Sequence, residues 1–208
     1  MGIALREVDF SYGDRPILQD FTLEFPESGV VCLFGPSGCG KTTILRLLAG
    51  LERPDRGRIE GMEAVRVSMV FQENRLLPWM SAADNVAAVL EGKESKPQAA
   101  RWLRLVGLED PDQPPSALSG GMKRRVAIAR ALAAPGELLL MDEPFTGIDD
   151  GRREEISRLI LDRFAGRLIL LVTHDEEECA LLGGRLLRLP AGPQTGHRRL
   201  EESDQAPA

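Results

Sequence analysis

The sequence predicts an α/β fold. It has a mostly parallel central sheet, an antiparallel β subdomain at the N-terminus and an inserted α-helical subdomain. Three observations predict it. The runs at 30–34, 138–141 and 168–172 are continuously apolar, as parallel strands covered on both faces are. A glycine-rich segment at 35–42 lies between the first of these runs and a helical pattern. Ile156, Leu159, Ile160 and Phe164 recur at helical spacing between the other two, so 152–165 reads as a crossover helix joining parallel strands.

The N-terminal subdomain follows from alternation. Arg6–Phe10 and Phe21–Phe25 place apolar residues at every second position, as half-exposed antiparallel strands do. Residues 73–118 carry few strand signals and read as helices broken by Gly92, Gly107 and the prolines at 111–115. They are assigned to the inserted helical subdomain. The main domain spans 1–190. Residues 191–208 are rich in Pro, Gly and charge and read as a flexible tail, in which His197 has no role.

Gly35-Pro36-Ser37-Gly38-Cys39-Gly40-Lys41-Thr42 matches G-x-x-x-x-G-K-[ST]. Glycines let backbone N–H groups approach an anion with no Cβ in the way. The helix that follows offers unpaired N–H groups and a positive dipole end to phosphates. The candidate nucleotide-binding set therefore runs Gly35, Pro36, Ser37, Gly38, Cys39, Gly40, Lys41, Thr42 and Thr43. Lys41 is suited to neutralise β- and γ-phosphate charge, and the Thr42 hydroxyl to ligate Mg²⁺.

Leu138–Met141 ends in Asp142 and Glu143. Ligands gather at the carboxyl ends of parallel strands. Asp142 is placed to hold Mg²⁺ through water and Glu143 to polarise an attacking water. Leu118-Ser119-Gly120-Gly121-Met122 opens a further helix, with Ser119 as N-cap and two glycines exposing the first N–H groups. It reads as a second anion-binding helix start.

Composition narrows the field. Twenty-six basic against 32 acidic side chains give a formal net charge of -6, which argues against a nucleic-acid binder driven by bulk charge. No apolar run approaches the ~20 residues of a membrane helix, and the N-terminus lacks signal-peptide features. A cytosolic chain is expected, with any membrane role arriving through a partner. Cys32, Cys39 and Cys179 form no C-x-x-C pair, so neither a disulfide framework nor a zinc site is expected. Cys32 reads as core. Cys39, beside Lys41, reads either as a reactive thiol or as an inert small residue.

These motifs, in this order, resemble the ATP-binding cassette ATPases, and the resemblance runs from about residue 3 to about 190. It rests on Tyr12, the loop at 35–42, Gln72 after Val70-Phe71, the 118–122 signature, Asp142-Glu143, Asp149 and His174. The resemblance implies a P-loop NTPase core that hydrolyses ATP with Mg²⁺. It implies that Tyr12 stacks on adenine, that Gln72 contacts Mg²⁺ and the attacking water, and that His174 contacts the γ-phosphate. The catalytic set is then Lys41, Gln72, Glu143 and His174, and the metal set Thr42, Gln72 and Asp142. The resemblance further implies a head-to-tail pair of copies. In it Ser119, Gly120 and Gly121 serve the partner's nucleotide, and Asp149 communicates across the interface.

Three departures stand out. Met122 replaces a more usual glutamine, and Gly147 a frequent alanine. The segment between Lys41 and Gln72 is short, which reads as a trimmed strand hairpin around Gly57–Gly61. Arg75-Leu76-Leu77-Pro78-Trp79 is similar to the same region in the nitrate, sulfonate and taurine importer group. The expectation is an energy-coupling ATPase on the cytoplasmic face of the membrane. Its partners would be permease subunits and, indirectly, a solute-binding protein. Leu77 and Trp79 either pack the lobe or line a socket for the permease. The alternatives are the ATPase of an exporter and a non-transport cassette protein acting on DNA or ribosomes. The absence of sustained heptads and of a second phosphate loop weighs against the latter.

Overall fold

The computed structural model describes residues 2–198. Its main sheet has the order β5-β6-β7-β3-β8. Here β3 is Gly29–Phe34, β5 Val67–Val70, β6 Leu138–Asp142, β7 Leu168–Val172 and β8 Arg185–Arg188. Every pairing in it is parallel. The apolar runs follow from burial on both faces. Cys32, Leu139, Met141, Ile169 and Leu171 point into one core, and Val31, Leu33, Leu138, Leu140, Leu170 and Val172 into the other. Strand periodicity of two thus splits a continuous hydrophobic run between two cores.

A second sheet has the order β4-β1-β2-β9, with β1 Ala4–Tyr12, β2 Arg15–Glu24, β4 Arg56–Glu60 and β9 Gln194–Arg198. β1 pairs antiparallel with β2 and β4, as the N-terminal alternation predicts. Two expectations change here. β4 is a single strand on the edge of β1, not half of a hairpin. Gly57 allows this, since a Cβ there would lie 2.4 Å or less from the carbonyls of Arg6 and Glu7. Residues 194–198 are not tail but strand β9, parallel to β2. Their polar composition hid them, yet the edge of β2 supplies backbone partners. Gln194 is fully buried, its amide donating to the carbonyls of Pro190 and Gly192. The tail beyond Arg198 lies outside the described residues.

Helix α1 (Lys41–Leu48) follows β3 and packs Ile44, Leu45, Leu47 and Leu48 into the core beneath the second sheet. The helical region holds α2 (Ala82–Ala87) and α3 (Ser95–Leu105), both packed on α4 (Gly120–Ala133). The buried Asn85 side chain pins the segment before α2, bonding the Leu77 amide at 2.7 Å and the carbonyls of Leu77, Met80 and Ser81. Leu77 is half-buried while Trp79 stays 77% exposed, so Trp79 does not pack the lobe. Helices α5 (Asp150–Arg163) and α6 (Glu176–Leu181) place Ile156, Ile160 and Cys179 in the same core as the buried apolar side chains of α4.

Cys32 on β3 and Cys179 on α6 are joined by a disulfide, their Cα atoms 6.0 Å apart. This overturns the expectation of no disulfide. The two cysteines stand 147 residues apart, and only the packing of α6 against the sheet brings them together. Gly184 closes over the bond, since a Cβ there would meet both sulfurs within 2.9 Å.

Candidate active site

The loop between β3 and α1 is built by its glycines. Gly35, Gly38 and Gly40 all have positive φ, at 154°, 80° and 102°. Gly35 also needs its bare Cα because a Cβ would sit 2.4 Å from the Leu189 carbonyl. Gly40 caps α1 without any side chain, leaving the first helical N–H groups free for an anion. The Lys41 ammonium donates to the carbonyls of Gly35 (2.6 Å) and Pro36 (3.0 Å), bridging its own loop. Cys39 is 1% exposed, with its sulfur 3.8 Å from Lys41 Nζ. Its burial removes the accessible thiol that a reactive role requires.

A cleft of about 340 Å³ opens over this loop. Tyr12, Ser37, Lys41, Thr42, Gln72, Asp142 and Glu143 border it. Residues as far apart in the chain as Tyr12 and Glu143 are brought together because β1, β3 and β6 all end there. Tyr12 closes β1, its ring edge-on to Phe10 at 4.9 Å and 44% exposed, leaving a face toward the cleft. Arg15 borders the same cleft beside Gly38. The sequence holds no motif that marks it.

Asp142 is buried at the end of β6 and accepts a 2.8 Å hydrogen bond from the Thr42 hydroxyl. Burial pushes its carboxyl above the ordinary range. The Thr42 bond opposes this, Glu143 adds to it, and Arg124 and Lys41 pull it down. Glu143 stands next in the chain at φ 48°, in the left-handed region that non-glycine residues seldom adopt. Such backbone strain recurs at functional sites. The turn is held by the Glu143 amide donating to the Val172 carbonyl at 2.8 Å. His174, just past β7, is exposed and places Nδ1 3.6 Å from Glu143 Oε1.

The signature segment lies elsewhere. Ser119 caps α4, its hydroxyl accepting from the Met122 amide at 3.2 Å. Ser119 and Gly120 are exposed, and neither they nor Gly121 border their own chain's cleft. Gly121 faces the loop after β6, where an added Cβ would lie 2.4 Å from the Gly147 carbonyl. Gly147 itself has φ 76°. The next charged residue, Asp149, caps α5 by accepting from the Arg152 amide at 3.0 Å.

The profile of the ABC transporter family matches residues 18–146. This chain belongs to the ABC transporter family. Curated relatives of this ABC cassette include aliphatic sulfonate import ATP-binding proteins. An aliphatic sulfonates import ATP-binding protein of Burkholderia cenocepacia is 44% identical over 195 residues, covering 88% of this chain and 71% of the relative. One from Paracoccus denitrificans is 43% identical, covering 91% and 80%. Among solved structures, the dimeric bacterial ABC transporter cassette MJ0796 superposes with a TM-score of 0.82 at 28% identity, covering 96% of this chain and 97% of that one. The same cassette in a dimeric post-hydrolysis state with ADP and Pi gives 0.80 at 28%, covering 90% and 94%. The chain is therefore an ABC ATPase domain, with the P-loop NTPase fold.

Proposed function

We propose that this ATPase energises import of a small solute of the aliphatic sulfonate class. It would do so as a homodimer docked on permease subunits at the cytoplasmic face of the membrane, served indirectly by a solute-binding protein. The observation that carries the mechanism is the split site. Lys41, Gln72, Asp142 and Glu143 converge on one cleft, whereas Ser119, Gly120 and Gly121 do not border it. A second copy turned head to tail would bring its α4 start over this cleft, and the dimeric neighbours support that arrangement.

In this reading ATP places its phosphates on the 35–43 loop and its adenine against Tyr12. Lys41 exchanges its two carbonyl partners for β- and γ-phosphate oxygens. Glu143 accepts a proton from the attacking water, and His174 orients the γ-phosphate beside it. Gln72, on the same cleft, contacts that water and ties it to the helical region at 73–118. Asp149 lies at the seam between copies. Each γ-phosphate is bound by two helix starts, so ATP favours closure and its cleavage releases the pair.

The oxygen donors Thr42, Gln72 and Asp142 fit Mg²⁺. Among the described residues no cluster of three or more His, Cys, Asp or Glu side chains could form a complete metal cage. A cation held by one carboxylate and substrate phosphates suits that set. When bound, Mg²⁺ supplies positive charge to the β- and γ-phosphates.

A groove of about 480 Å³ supports the permease assignment. Leu51, Met69, Phe71, Leu77 and Val89 line it between β5, α2, α4 and the segment after α1. Leu51 is 47% exposed, and Trp79 stands just past Leu77 in the chain. Among the described residues no helix is long and apolar enough to cross a membrane. The apolar lining of the groove suits the apolar face of a short permease helix. The relatives' names favour import over the exporter and DNA- or ribosome-associated alternatives. The test is co-purification with the permease from the same operon, followed by ATPase assay in vesicles containing its solute-binding protein. Stimulation by an alkanesulfonate supports the reading. Association without stimulation by any sulfonate removes the solute class.

A further inference from the structure

Arg124 lies on α4, five residues after Ser119, and is 3% exposed. A guanidinium has five N–H donors. All five find backbone carbonyls in two other segments. Nε donates to Pro144 at 3.0 Å. Nη1 donates to Phe71 and, at 3.1 Å, to Gln72. Nη2 donates to Asp142 at 2.6 Å and to Glu143. The Asn74 side-chain oxygen adds a longer contact to Nη1 at 3.4 Å.

A buried cation bonded to neutral carbonyls is a costly arrangement. Burial pulls the Arg124 pKa down, and the nearby carboxylates of Asp142, Glu143 and Glu178 act against that. The arrangement nonetheless joins the two segments that carry Gln72 and Glu143, the residues assigned above to the attacking water. The Glu143 carbonyl leaves a residue in the left-handed region and is held by Arg124 and by the Thr146 hydroxyl at 3.2 Å. The Gln72 carbonyl is held by the same guanidinium. Lysine offers a point charge with three donors and cannot fork between the two segments.

We propose that Arg124 is a positioning residue that sets Gln72 and Glu143 against the signature helix, so that movement of α4 on pairing reaches both sides of the attacking water. This rests on the assignment of Glu143 to that water. Arg124→Lys and Arg124→Ala test it. Mg-ATP affinity by calorimetry should stay within about 3-fold of the parent, while kcat falls about 10- to 100-fold, the scale of a misplaced reacting group. Methylguanidinium, and not methylammonium, should restore at least about 10-fold of the Arg124→Ala rate. In Glu143→Gln the further change Arg124→Lys should slow turnover little, because both losses act on one step. An unchanged kcat, a loss that only tracks the folded fraction, or fully multiplicative losses in the double variant would overturn the proposal. Normal turnover by Glu143→Gln alone would instead refute the Glu143 assignment, and the methylguanidinium rescue still reads Arg124 by itself.

Discussion

Replacing Glu143 with Gln removes one ionisable oxygen and little else. Gln is isosteric. The bonds that hold the turn run through the Glu143 backbone, from its amide to Val172 and from its carbonyl to Arg124 and Thr146. The φ of 48° is therefore kept. What is lost is the carboxylate proposed as proton acceptor, whose Oε1 stands 3.6 Å from His174 Nδ1. A positioned general base contributes about 10²–10⁴-fold, or about 2.7–5.4 kcal/mol of barrier. Phosphate release at saturating Mg-ATP should drop by that factor, with the affinity for ATP unchanged by calorimetry. A turnover within about 3-fold of the parent would show that the water is activated by another group.

Lys41→Ala removes the cation that bridges the loop carbonyls, and ATP affinity by calorimetry should fall at least about 10-fold; unchanged affinity would refute the phosphate role. Gly121→Ala drives a Cβ to 2.4 Å from the Gly147 carbonyl, so thermal unfolding should report a loss of about 1–3 kcal/mol, and an unaltered melting temperature would disprove that contact. Glu178 is buried against the Thr173 hydroxyl at 2.6 Å, with Arg153, Asp175 and His174 near it. Burial raises its carboxyl above the ordinary 4.5, so the native state holds that proton more tightly than the unfolded chain. Its contribution is then most destabilising above the native pKa and vanishes as pH falls below 4.5. Glu178→Gln should stabilise the fold at pH 8 relative to the parent, with the gain shrinking toward pH 4 in denaturant titrations; a gain that grows on acidification would invert the sign. Leu77→Glu places a charge in the apolar groove and should abolish permease co-purification while leaving the isolated ATPase rate unchanged, whereas retained association would move the docking surface elsewhere.

Much of the fold was legible because its signals are local. The strands at 30–34, 138–141 and 168–172 announced burial on both faces by unbroken apolar runs, and β3, β6 and β7 lie there. Crossover helix α5 begins at Asp150, two residues before its apolar spacing suggests, because Asp149 caps it. The phosphate loop was readable because positive φ demands glycine at Gly35, Gly38 and Gly40. Features that depend on distant partners were not. β9 reads as polar tail and becomes a strand only through the free edge of β2. Cys32 and Cys179 meet only after α6 docks on the sheet. Arg124 is a charge on a helix, which sequence alone sends to solvent, and its five carbonyl partners exist only in the assembled site. The separation of Ser119 from its own chain's cleft was not readable from spacing, and only the family resemblance implied it.

Sedimentation velocity of the Glu143→Gln variant, with and without Mg-ATP, tests the central claim most directly. Two copies should associate when Mg-ATP is present and separate when ADP replaces it, and Ser119→Arg should block the association by filling the space over the partner's phosphates. A single-copy species in Mg-ATP at every salt and protein concentration would contradict the shared site.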